Sequence, residues 1–192
     1  PQTSESKWAF YAHAPRLQGI RATNMPSPWI GDYGHFTVMP QSGYSTVDAM
    51  TSAETRSSSY QIEQAQFKPH HFKAFLLRYG ITLEVAPTER CAVFRFTYPS
   101  DDDRAAVILH AFAGAAMLTV DAAAGTISGF TRANSGGCPE NFAAYFVAQF
   151  DRPITSHELF NAEKHWQAPQ AEGERIGHDV TRYYQRAVTI TD

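Results

Sequence analysis

The feature that most constrains this chain is the strict two-residue alternation of its middle third. Ala92, Phe94, Phe96 and Tyr98 alternate with Cys91, Val93, Arg95 and Thr97, and just upstream Ile81, Leu83 and Val85 alternate with Thr82 and Glu84. Successive side chains of a strand point to opposite faces, so this period specifies two half-buried strands. Pro87-Thr-Glu-Arg90 between them reads as a hairpin turn. Further short strands are expected at Phe72–Tyr79, Val107–Phe112, Met117–Val120, Thr126–Thr131, Phe142–Phe150 and Tyr183–Thr191, punctuated by Gly80, Gly125, Gly129 and Gly136-Gly137.

Many short strands separated by turn chemistry imply an all-β fold, an antiparallel β-sandwich with long loops and at most a short helix. The one helical pattern is Glu158–Lys164, with Ser156 as its N-cap, and the polar stretch from His165 to Gly177 reads as a long exposed loop. Neither an internal repeat nor a domain boundary interrupts the pattern, so residues 1–192 are expected to form a single domain. With 43% hydrophobic residues the chain has enough apolar material for a sizeable core.

Charge excludes some functions. Sixteen basic against nineteen acidic residues give a net charge of -3, and no Lys/Arg cluster offers a footprint for nucleic acid or an anionic membrane surface. No apolar stretch approaches a membrane helix and no signal-like segment opens the chain. Its first residues, Pro1-Gln-Thr-Ser-Glu-Ser6, lack Met, which reads as a chain processed or excised from a longer one. Cys91 and Cys138 are compatible with one disulfide or with two buried thiols, and their spacing offers no zinc site.

Chemistry concentrates in one non-periodic segment, Asn24-Met-Pro-Ser-Pro-Trp-Ile-Gly-Asp-Tyr-Gly-His35, which runs into Phe36-Thr-Val-Met-Pro-Gln41. Prolines fix φ and glycines admit close backbone approach, so this segment is expected to be a shaped loop carrying Trp29, Asp32 and Tyr33. A flat aromatic ring beside a carboxylate suits a sugar: the ring covers the C–H face and the carboxylate accepts hydroxyl hydrogen bonds. Each residue also has a plainer reading, Trp29 as a core plug under the loop and Asp32 as the acceptor of an Asx turn. Glycoside hydrolysis needs a carboxylate pair, for which Asp32, Glu63, Glu84 and Glu89 are candidates; Glu84, on an alternating strand, reads as solvent-facing. His70-His71 is the most tempting metal pair, but neighbours on a strand face opposite ways, so a sheet-edge polar pair is the default. His157, His165 and His178 lie in polar surroundings with nothing to bring them together. Ser135-Gly-Gly-Cys-Pro-Glu140 forms a second shaped loop.

Specific residues also carry a resemblance. Pro26-Ser-Pro-Trp-Ile-Gly-Asp-Tyr-Gly34 with Phe36 and Val38-Met-Pro40 resembles the signature loop of glycoside hydrolase family 92, the calcium-dependent exo-α-mannosidases. Three further segments are similar to the same family in the same order. They are Glu63-Gln-Ala-Gln-Phe-Lys-Pro-His-His-Phe72 with Leu77-Arg-Tyr-Gly-Ile81, Leu83-Glu-Val-Ala-Pro-Thr-Glu-Arg90 with Phe94-Arg-Phe96 and Tyr98-Pro99, and Asn134-Ser-Gly-Gly-Cys138 with Asn141 and Tyr145-Phe146. The resemblance implies a supersandwich-like N-terminal domain that packs on a helical (α/α)-barrel catalytic domain absent from this chain. It implies action by inversion on terminal α-mannosides of glycans, with α-1,2 linkages as the expected class. It places the acid, the base and the calcium site in the helical domain, so no catalytic or metal-binding residue is expected here. Calcium is expected only in the full-length enzyme, and a bacterial periplasmic or secreted setting is implied by the resemblance alone.

By the same resemblance the Trp29 loop faces the mannose site, with Trp29 contacting sugar and Asp32 and Tyr33 as polar contacts or loop supports. His35 stands where an acidic residue is expected, and the Cys138 loop reads as structural. Two alternatives come from other classes: a stand-alone carbohydrate-binding module with Trp29 as its platform, and a purely structural sandwich bracing a catalytic domain.

Overall fold

A computed structural model describes residues 1–3, 14, 16–21, 36–42, 52–100, 105–111, 116–132, 139–160, 165–166, 170–172 and 186–191. Every strand pair among them is antiparallel. The strands are β1 Gln2–Thr3, β2 Arg16–Arg21, β3 Phe36–Ser42, β4 Ser58–Ser59, β5 Gln66–Lys68, β6 His71–Leu76, β7 Ile81–Pro87 and β8 Ala92–Thr97. They continue with β9 Ala105–Ala111, β10 Ala116–Asp121, β11 Thr126–Thr131, β12 Ala144–Gln149, β13 Ser156–Phe160, β14 His165–Trp166, β15 Gln170–Glu172 and β16 Arg186–Thr191. The one α-helix among the described residues, α1 (Ala53–Arg56), is capped by Ser52, whose Oγ accepts from Thr55 N–H at 3.2 Å.

Three sheets result. A large sheet runs β1-β2-β3-β9-β16-β13-β14, with β4 also on β2. A meander, β5-β6-β7-β8, and a second four-stranded sheet, β12-β11-β10-β15, flank it. The expected all-β sandwich is therefore the observed fold, and the strongest alternation gives the cleanest hairpin. β7 and β8 pair from Thr82↔Thr97 to Pro87↔Ala92, and Thr88 N–H closes the turn on the Cys91 carbonyl at 2.7 Å.

The large sheet is covered on both faces at its centre. Phe36 and Met39 stand three apart on β3, whose register with β9 is unbroken, so they point to opposite faces. Phe36 and Leu109 pack with Leu118, Val120, Ile127 and Leu159, against the β10–β12 sheet. Met39, with Leu17 and Ile20, packs with Phe72, Leu76, Ile81, Leu83 and Val85 of the meander. Burying both faces of β3 and β9 explains why Ala105–Leu109 is a continuous apolar run rather than an alternating one.

Three expectations are corrected. Glu158–Lys164 is not helical at its start: Ser156–Phe160 is a strand, held by β16 through pairs from Ser156↔Thr191 to Phe160↔Ala187, so tertiary pairing overrides the local helical preference. The polar His165–Gly177 stretch contains two short strands, β14 and β15. Phe36–Gln41, into which the 24–35 segment runs, is a strand of the large sheet; its pairing with β2 is confined to Thr37 and Val38, so the missing N–H of Pro40 removes no bond from that side. Cys91 is an exposed free thiol rather than a buried one, because it lies in the β7–β8 turn.

Candidate functional site

Trp29, Asp32 and Tyr33, together with His35 and the Cys138 loop, lie outside the described residues. The frame from which the Trp29 segment springs is well defined. β2 and β3 are neighbours in register, Ile20↔Val38 and Arg21↔Thr37, so both ends of the 22–35 segment are anchored on adjacent strands of the large sheet. Gly19 makes that anchor possible. Its φ is +143°, and a Cβ there would stand 2.5 Å from the Thr37 methyl, so only glycine lets β2 approach β3 this closely.

Beneath the anchor runs a buried polar seam. Arg56, fully buried at the end of α1, donates from Nε to the Gln18 carbonyl at 3.1 Å and lies 3.4 Å from His110 Nδ1. Guanidinium groups only donate, so Nδ1 accepts and the His110 proton resides on Nε2. The Tyr79 hydroxyl donates to the Arg56 carbonyl at 2.8 Å and accepts from Gln41 Nε2 at 3.1 Å. Thr37 and Gln41 of β3 stand two residues either side of Met39 and Thr37 pairs with His110, so all four share the face toward the meander.

The electrostatics follow from burial. Desolvation lowers the Arg56 and Arg21 guanidinium pKa values to about 10, so both remain cations at neutral pH. His110 is held well below its ordinary value by burial first, then by the Arg56 and Arg21 charges. It is therefore a neutral imidazole between two cations. Burial raises Tyr79 against the opposing pull of Arg78, Gln41 and Arg56. Such a seam can fix backbone and side-chain positions at the base of the 22–35 segment. It has no carboxylate with which to run acid–base catalysis among its described members.

The remaining candidates are dispersed. Glu84 stands on the outer face of the meander, 3.5 Å from His71 Nε2, 3.6 Å from Lys73 Nζ and 3.8 Å from Arg95 Nη1. The cross-strand register Lys73↔Glu84↔Arg95 accounts for it: three charges sit side by side on one face, an ion-pair ladder and not a catalytic dyad. Glu63 lies in a 3-10 turn, Ile62–Gln64, and Glu89 in the exposed β7–β8 turn. His70 is an exposed turn residue beside strand residue His71, so the adjacent pair does not converge. Among the described residues no three His, Cys, Asp or Glu side chains come together where they could hold one metal ion.

Sequence reading missed Arg56 and His110. A signal existed for His110, a titratable residue inside the apolar run Val107–Phe112. None existed for Arg56, which follows a capped Ala-Glu-Thr turn and reads as an exposed cation.

Comparison with known proteins adds to this frame. The model of the N-terminal domain of glycosyl hydrolase family 92 matches residues 1–188. A family GH92 inverting mannosidase from Bacteroides thetaiotaomicron VPI-5482 is similar over 100% of this chain and 24% of its own, at 27% identity and a TM-score of 0.84. A second GH92 α-mannosidase from Bacteroides thetaiotaomicron shares the fold at 20% identity and TM-score 0.70, over 96% of this chain and 26% of that one. A third GH92 glycosyl hydrolase does so at 18% identity and TM-score 0.75, over 100% and 26%. The chain thus spans about a quarter of the length of these proteins. No curated protein matches it.

Proposed function

The chain belongs to glycoside hydrolase family 92, in the place of its N-terminal domain, and from that premise we propose that it is the β-sandwich part of a longer inverting exo-α-mannosidase acting on terminal α-1,2-mannosides. The observation that carries this reading is the match of the family's N-terminal domain over residues 1–188.

In this proposal the sandwich supplies substrate contacts and a partner domain of the same polypeptide, a helical barrel, supplies the chemistry. Trp29 covers the apolar face of the terminal mannose, and Asp32 and Tyr33 bond its hydroxyls or brace the loop. The Gly19 approach, the Arg21↔Thr37 pair and the Arg56–His110 seam support this reading, because they hold both ends of the 22–35 segment at one site. A pair of carboxyl groups outside this chain acts on the substrate: one protonates the leaving oxygen while the other activates water on the opposite sugar face, which inverts the anomeric centre. Calcium, when bound by the parent enzyme, would hold and distort the terminal mannose. No step assigned to this chain runs through it.

The test is release of mannose from α-1,2-linked mannobiose, with calcium and with a chelator, by the parent polypeptide and by residues 1–192 alone. The parent is expected to be active only with calcium, and Trp29→Ala in it to raise KM. The folded isolated chain is expected to be silent. Calcium-dependent release by that chain would overturn the division of labour.

A further inference from the structure

We infer that the outer face of the β10–β12 sheet is the surface on which the remainder of the parent polypeptide docks. This rests on the reading of the chain as one part of a longer family-92 enzyme.

Register builds the face. Met117, Phe130 and Tyr145 stand side by side across the three strands, followed by Thr119, Ser128 and Val147, then by Asp121, Thr126 and Gln149. Tyr145 is 76% and Val147 73% exposed, on an edge strand whose inward residues Phe146 and Ala148 pack on the core. Charge on these strands is confined to the two ends. Asp121 caps Ala124 N–H at 3.0 Å, and the Arg132 guanidinium lies over the Phe130 ring at 5.5 Å. Between them β10, β11 and β12 carry aromatic, methionine, valine and hydroxyl residues on this face, and Glu172 of β15 stands in register beside Met117 at the far edge, an apolar centre with a polar rim.

Three arguments name the occupant. This chain covers only 24–26% of the similar mannosidases, so most of such a protein lies outside it and must meet it somewhere. The opposite outer face, on the meander, exposes Phe75 and Val93, but the Lys73↔Glu84↔Arg95 row of charges runs between them and keeps that face suited to water. The Phe130 and Tyr145 rings, 5.7 Å apart, are tilted by 52°, so they present no flat platform for a sugar ring and instead form a corrugated surface suited to side-chain packing.

Hydroxyl-radical footprinting of the parent polypeptide and of residues 1–192 tests this directly. Tyr145 is expected to be labelled in the isolated chain and to lose that labelling in the parent, while Phe75 on the meander is labelled in both. Equal labelling of Tyr145 in the two proteins overturns the inference. Protection in the isolated chain that grows with concentration, matched by a dimer in sedimentation, also overturns it by giving the face to a second copy. As a second arm, Val147→Lys should speed proteolytic separation of the two parts of the parent while leaving the melting of residues 1–192 unchanged; an unaltered cleavage rate counts against docking. Mannoside hydrolysis is scored separately. An inactive parent with Tyr145 protected sinks the proposed function and keeps the interface, and an active parent with Tyr145 labelled does the reverse.

Discussion

The two four-stranded sheets that flank the large one are built alike on their inner faces and oppositely on their outer faces. Inside, each sends aliphatic residues at period two into a core, Leu83 and Val85 from the meander and Leu118 and Val120 from the β10–β12 sheet. Outside, the meander carries Glu84 between Lys73 and Arg95 across the middle of its face, whereas β10, β11 and β12 show Tyr145 and Val147 with charge only toward the strand ends and, on neighbouring β15, at Glu172. The inner faces therefore report how the chain folds, and the outer faces report what it meets afterwards. The polar seam adds a second asymmetry, because His110 and Arg56 lie on the meander side of the large sheet.

The largest expected effects would break the equivalence of the inner faces. Leu83→Ala and Leu118→Ala, both fully buried, should each cost about 2–5 kcal/mol in a denaturant melt. A cost confined to one of them would mean that the two cores are not comparable supports. Gly129→Ala should be specific to the β10–β12 sheet. A Cβ there would meet the Met117 carbonyl at 2.1 Å, and overpacking of this kind costs roughly 1–3 kcal/mol.

The seam sharpens the comparison through pH. The folded-state pKa of His110 is depressed below the unfolded value of 6.5, so its neutral form is common to both states at higher pH and the full stability is present there. Below that value the unfolded chain takes up a proton that the folded chain resists. Stability should then fall by up to about 1.4 kcal/mol per pH unit until the folded pKa is reached. His110→Gln should flatten that slope. Hydrogen exchange at mildly acid pH should quicken in β6–β7 before β10–β11; simultaneous loosening of both would separate His110 from the asymmetry. The smallest effect is Glu84→Gln. Its charged partners Lys73 and Arg95 are 42% and 76% exposed, so about 0–1 kcal/mol should be lost, less at high salt.

Legibility in the sequence followed locality. The β7–β8 hairpin was readable because its alternation and its turn are both local. β13 was not, since Glu158-Leu-Phe reads as a helical start until β16 supplies its ladder from thirty residues downstream. β2 and β3 were hidden by glycine and proline, whose placement is lawful only because Gly19 makes a close approach and Pro40 lies beyond the β2 pairing. In the candidate site Trp29, Asp32 and Tyr33 lie outside the described residues, and in the described foundation Arg56 gave no sign in the sequence. Burial of Arg56 is decided by what packs around a four-residue helix, which no spacing announces.

The strand order of the large sheet also bears on how the protein is made. β9 lies between β3 and β16, and β16 in turn lies between β9 and β13, so the latest of the described strands is inserted into the middle of the sheet. During synthesis the meander can pair as soon as residues 66–97 have left the ribosome, since each hairpin closes on its neighbour. β9 and β13 must wait with open edges until Arg186–Thr191 emerges. Non-local pairing of this kind is slow and leaves unpaired strands exposed to wrong partners. A ribosome stalled before residue 186 should therefore display a folded meander beside an unfinished sheet, the state in which this chain most needs a chaperone.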